Sequence, residues 1–77
     1  MLKLHQISAP ELVKWLKKQG FERVPGGKSS HVKLRRGNRE TTVSIKHGKK
    51  KLPIGTLKQI LSDEQTGLER EYREYFS

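Results

Sequence analysis

The chain has no cysteine, one methionine, three prolines, one tryptophan, two tyrosines and two phenylalanines in 77 residues. Without thiols there is no disulfide framework and no thiolate ligand or nucleophile, a usage that fits the cytoplasm. Hydrophobic residues make up only 31% of the chain. No run approaches the ~20 apolar residues that a membrane span needs, and residues 1–6 lack the apolar stretch of a signal peptide. The expectation is a cytoplasmic protein that makes no use of a membrane. A chain of this length suits one domain, residues 1–77, that buries about 60% of its unfolded surface. Nearly every apolar side chain must then serve one core, expected over residues 4–61, with 63–77 as a tail. Acids are also scarce: eight Asp and Glu stand against seventeen Lys and Arg, a net charge of +9.

The imbalance is uneven along the chain. Residues 28–58 hold ten basic side chains and a single acid, Glu40. Beyond Ser62, five acids outnumber two arginines. A positive field of that density attracts polyanions, and counterion release makes nucleic acid the expected partner. A basic helix lying on a membrane fits less well, because the charge is spread over strands and loops.

Periodicity sets out the elements. Ser8-Ala9-Pro10-Glu11 is a capping box with proline in the first turn, and it predicts a helix over residues 9–19 that Gly20 ends. Leu12, Val13, Trp15 and Leu16 share one arc of that helix, and Lys14, Lys17 and Lys18 the other. Residues 21–24 read as a short strand stopped by Pro25-Gly26-Gly27. Residues 30–35 and 41–46 alternate with period two around a turn at Arg36-Gly37-Asn38-Arg39. Val32, Leu34, Val43 and Ile45 should face the core. His31, Lys33, Arg35, Thr42, Ser44 and Lys46 should face the other way. A second helix begins between Pro53 and Gly55, with Ile54, Leu57, Ile60 and Leu61 on one face. The order α-β-β-β-α predicts an α+β fold, a three-stranded antiparallel sheet with two helices on one face. In the tail, Leu68, Tyr72, Tyr75 and Phe76 recur at helical spacing, which allows a third short helix docked on the core or on a partner.

Few groups are placed for chemistry. Paired carboxylates are missing, since the acids cluster in the tail, and the three histidines show no ligand spacing, so no metal site is expected. Gly26-Gly27-Lys28-Ser29 resembles the end of a phosphate-binding P-loop, but Glu22 stands where that loop needs its first glycine. His31 remains. RNA carries its own nucleophile, the 2′-hydroxyl, so its cleavage needs only proton transfer and charge stabilisation at phosphorus. An imidazole titrates near neutral pH and can move that proton, and nearby cations can offset the developing charge. A lone surface histidine in a basic protein is more often inert or merely a phosphate contact. His5 lies in the N-terminal arm, and His47 in a basic loop that could line the same surface.

Several segments in order carry a family resemblance: Leu4, Ile7-Ser8, Glu11-Leu12-Val13-Lys14, Gly20-Phe21, Ser30-His31-Val32 and Gly55-Thr56-Leu57-Lys58-Gln59-Ile60-Leu61. Together they resemble the HicA toxins, small mRNA interferases of toxin–antitoxin pairs. The likeness runs from about Leu4 to Leu61, and it implies a fold like that of the double-stranded-RNA-binding domain. It also implies a catalytic histidine at His31, in the Ser29-Ser30-His31 segment, where Ser29 stands in place of the family's usual glycine. The proline and glycine before the second helix are slightly shifted, and the tail after Ser62 has no matching counterpart.

The resemblance further implies metal-independent cleavage of mRNA, no cofactor, and neutralisation by a HicB-type antitoxin that covers the active face. Combined with the charge pattern, it assigns Lys28, Lys33, Arg35 and Lys46 to the RNA backbone. Ser30 is assigned to a phosphate oxygen and His31 to proton transfer, in a protein expected to be monomeric alone. The partner acid or base is not identified by sequence. A non-catalytic RNA-binding module of the same fold is the alternative.

Overall fold

Ser8 opens the first helix, α1 (Ala9–Lys18), in the computed structural model, which describes residues 4–26 and 30–76. The Ser8 Oγ accepts the Glu11 N–H at 3.4 Å and donates to the Glu11 carboxylate at 3.0 Å, so one hydroxyl ties down both ends of the first turn. Such a cap contributes about 1 kcal/mol. Glu11 in the first turn and Lys17 and Lys18 in the last complement the helix dipole. Ala9, Leu12, Trp15 and Leu16 are buried, and Val13 packs against them half-covered. Past Gln19 the chain turns through Gly20 at φ +95°, a conformation that a side chain rarely adopts. This is where the sequence places the helix stop.

The chain then builds a sheet of β1 (Glu22–Val24), β2 (His31–Arg36) and β3 (Arg39–Ser44), antiparallel in the order β1-β2-β3. Val32 pairs with Val43 and Leu34 with Thr41, which puts these four buried side chains on the inner face. The pairs His31–Ser44, Lys33–Thr42 and Arg35–Glu40 occupy the outer face. The hairpin is tighter than the expected four-residue turn. Arg36 pairs with Arg39, so only Gly37 and Asn38 form the loop. The shorter loop starts β3 two residues early, and the strand ends at Ser44. Ile45 and Lys46 lie past the strand, and Ile45 is half-buried rather than in the core.

Helix α2 (Ile54–Leu61) buries Leu57, Ile60 and Leu61. Ile54 was expected on that face but is 42% exposed. A helical side chain leans toward the N-terminus, so at the first position it leans past the helix end instead of over a covered turn. The tail forms a third helix, α3 (Glu69–Tyr75), and it docks on this chain's own core. Leu68 is buried and Tyr72 fully so. Trp15 meets the Tyr72 ring edge-on at 5.4 Å, and the Tyr72 hydroxyl donates to the His5 carbonyl. The three helices thus share one apolar cluster with the inner face of the sheet.

Two of the basic residues counted above work inside the fold. Arg36 donates to the Gln19 carbonyl at 2.7 Å, closing the end of α1, and its guanidinium lies 5.2 Å from the Phe21 ring centre. Arg39 donates to the carbonyls of Asp63 and Gln65 in the turn after α2. Gly67 sits at φ +67° against that guanidinium, and a β-carbon there would come within 2.8 Å of it. Elsewhere, Leu52 N–H donates to the Ile7 carbonyl at 2.8 Å and Gln6 donates to the Leu52 carbonyl at 2.9 Å. Together with a bridge between Ser8 and Lys51, these bonds pin the segment before α2 to the segment before α1.

Candidate nucleic-acid interface

The alternation of β2 brings His31 to the outer face at the strand's first position, half-buried and opposite Ser44. The Ser30 Oγ lies 3.1 Å from His31 Nδ1. A hydroxyl can donate or accept, so this contact suits either neutral tautomer and holds the ring by one nitrogen. Ile45 N–H donates to the Ser30 carbonyl at 2.8 Å. The neighbouring pair His31–Ser44 is therefore of the closely spaced, non-hydrogen-bonded kind, with α-carbons about 4.5 Å apart.

Two positions along, Lys33 and Arg35 share the same face, and Glu40 lies between them. Its Oε1 is 2.9 Å from Arg35 Nη2 and 3.5 Å from Lys33 Nζ. The hydrogen bond from Arg35, with the charge of Lys33 beside it, holds the Glu40 carboxyl below its ordinary range. The single acid of the basic stretch thus lands between two cations assigned to the RNA backbone. Sequence reasoning missed this contact, although a two-residue loop at Gly37-Asn38 would have set Arg35 opposite Glu40. Lys46 is exposed just past β3, and the loop that follows keeps His47, Lys49, Lys50 and Lys51 exposed beside it. Lys28 and Ser29 lie outside the described residues.

The other histidines part company. The His5 ring stacks on Phe76 at 5.6 Å and so joins the aromatic cluster of α3. His47 stands in the turn after β3 and, with Ser44, lines a recess at the edge of the outer face. Among the described residues, no group of three His, Asp or Glu side chains is placed to hold a metal ion. Among the described residues, no helix is long and apolar enough to cross a membrane.

An antiparallel sheet backed by helices, with a half-buried histidine on an open cationic face, defines a small α+β protein suited to a polyanionic ligand. The chain belongs to the HicA toxin family of bacterial toxin–antitoxin systems, which it matches over residues 9–68. Its role is that of the toxin in such a pair, and the pair implies an antitoxin partner. The match covers α1 to α2 and stops short of α3. No curated protein and no solved structure matches the chain.

Proposed function

We propose that this toxin is a metal-independent endoribonuclease that cleaves mRNA in the cytoplasm, with His31 as its proton-transfer group. The observation that carries the reading is the Ser30–His31 contact at 3.1 Å on a face shared with Lys33 and Arg35. With Nδ1 engaged by Ser30, Nε2 is the nitrogen that works on substrate. It takes the proton from the 2′-hydroxyl as that oxygen attacks the adjacent phosphorus. The bond from phosphorus to the 5′-oxygen breaks, the leaving oxygen takes a proton from water, and a 2′,3′-cyclic phosphate remains. Lys33, Arg35 and Lys46, with Lys28, hold the RNA backbone and offset charge on the phosphoryl oxygens. Ser30 orients the imidazole and can also reach a phosphate oxygen. In-line attack needs a flexible strand, which favours single-stranded substrate. The toxin is a monomer alone, and a HicB-type antitoxin neutralises it by covering this face.

The test compares wild type with His31→Ala for growth arrest in cells and for RNA cleavage by purified protein, with and without EDTA. General acid–base catalysis contributes about 10²–10⁴-fold. The variant should lose cleavage by at least about 100-fold while keeping its circular dichroism and its RNA affinity, and EDTA should change nothing. Cleavage that survives in His31→Ala overturns the mechanism. RNA binding with a steep salt dependence and no cleavage by either protein would make this a binding module instead.

A further inference from the structure

Beside Ser44, the cross-strand partner of His31, lies a recess of about 240 Å³ between the end of β3, the turn after it, the start of α1 and the segment before α2. Leu52 and Pro53 form an apolar wall, Ser44 and His47 supply polar groups, and Lys50 and Lys51 stand at the rim. The walls are held in place before any ligand arrives. Leu52 is buried and hydrogen-bonded at both its N–H and its carbonyl, and Lys51 bridges to Ser8. Gly48 N–H donates to the Ile45 carbonyl and Lys50 N–H to the His47 carbonyl, each at 3.2 Å, so two successive turns fix His47.

Size and chemistry narrow the occupant. The space is below the ~300 Å³ at which pockets for drug-sized ligands begin, so it suits one flat ring system rather than a whole nucleotide. A bare phosphate would gain nothing from Leu52 and Pro53, and a purely apolar side chain nothing from Ser44, His47 and the lysines. A nucleobase uses all three kinds of group: its faces lie on the proline ring and the imidazole, and its edge meets the Ser44 hydroxyl. The sugar-phosphate outside then passes the two lysines. Because Ser44 is the cross-strand partner of His31, about 4.5 Å away at the α-carbon, a base seated here sets the neighbouring phosphodiester at the histidine.

We propose that this recess is a nucleobase subsite that selects the nucleotide next to the cleaved bond, with His47 as a positioning residue. The proposal rests on the RNA-cleaving reading above and gives the toxin a base preference at one position.

The test measures binding apart from cleavage. Full-length His31→Ala protein is titrated with single-stranded homopolymers of A, C, G and U. One homopolymer should bind about tenfold more tightly than the weakest, the scale of one stacked base. Adding His47→Ala or, separately, Ser44→Ala should level the four affinities. Adding Lys51→Ala should lower all four alike. In the enzyme with His31 intact, His47→Ala should raise KM on the preferred sequence more than it lowers kcat. Equal binding of all four, or an order that survives both added substitutions, overturns the subsite. A wild type that cuts mRNA while His31→Ala shows no base preference would sink the subsite and leave the cleavage reading standing.

Discussion

Burial pushes the Tyr72 hydroxyl up to about 12, with the charge of Glu11 adding to the effect. A tyrosine is neutral below its ordinary value near 10, so the raised value costs nothing at neutral pH. Above that, the unfolded chain releases the proton more readily than the folded one. Stability is therefore whole below about pH 10 and falls as pH rises toward about 12. Tyr72→Phe should abolish this component of the alkaline loss. At neutral pH it should cost about 1 kcal/mol, because the His5 carbonyl loses its donor. Melting curves of both proteins from neutral to alkaline pH check both statements, and identical alkaline limbs would refute the first. The same scale separates the arginines. Arg36 and Arg39 close the ends of helices, whereas Arg35 faces outward, and nothing in the residue type distinguishes them.

The β2–β3 ladder is the element that assembles the candidate site, and its register decides what the cations can do. In the free toxin Lys33 and Arg35 share Glu40, so under the proposed function an RNA phosphate must compete with a carboxylate already in place. Glu40→Gln should release both cations. RNA should then bind more tightly, with a salt dependence steeper by about 0.7 for each phosphate newly held on a single strand. Titrations at several salt concentrations read that slope, and an unchanged slope would show that Glu40 does not gate the cations. The turn centred between Gly37 and Asn38 is what sets this contact, because it pairs Arg36 with Arg39 and so Arg35 with Glu40.

At the scale of the molecule, α3 completes the core although it lies beyond the family match. Tyr72 and Phe76 cover Trp15, and Leu68 joins the same cluster. Burying a large apolar side chain contributes about 1.5–3 kcal/mol, so Leu68 and Tyr72 together supply about 3–6. That is a large part of the ~5–15 kcal/mol that holds a small protein together. Ending the chain after Gly67 should therefore lower the urea midpoint sharply or leave the protein unfolded. A truncated chain as stable as the full one would mean that α3 merely rests on the surface. Part of the tail's acidity is spent within α3, in the pairs Arg70–Glu74 and Arg73–Glu69 at 3.3 Å, four residues apart.

What the sequence by itself determined is what short stretches encode. The Ser8 cap, the stop at Gly20, the alternation through His31, Val32, Lys33 and Leu34, and the spacing of Leu57, Ile60 and Leu61 each depend on neighbours within one or two turns. The α-β-β-β-α order and the outward face of His31 follow from them. Only the tertiary structure decided the remainder, because each of those contacts joins groups that no local period relates. Tyr72 meets the His5 carbonyl across 67 positions, and Arg39 meets the turn after α2 across 24. Ser44 and Lys51 come to line one recess only once the segment before α2 is pinned beside α1. Whether the tail docks on its own core, which arginines face outward and what stands beside His31 are matters of packing.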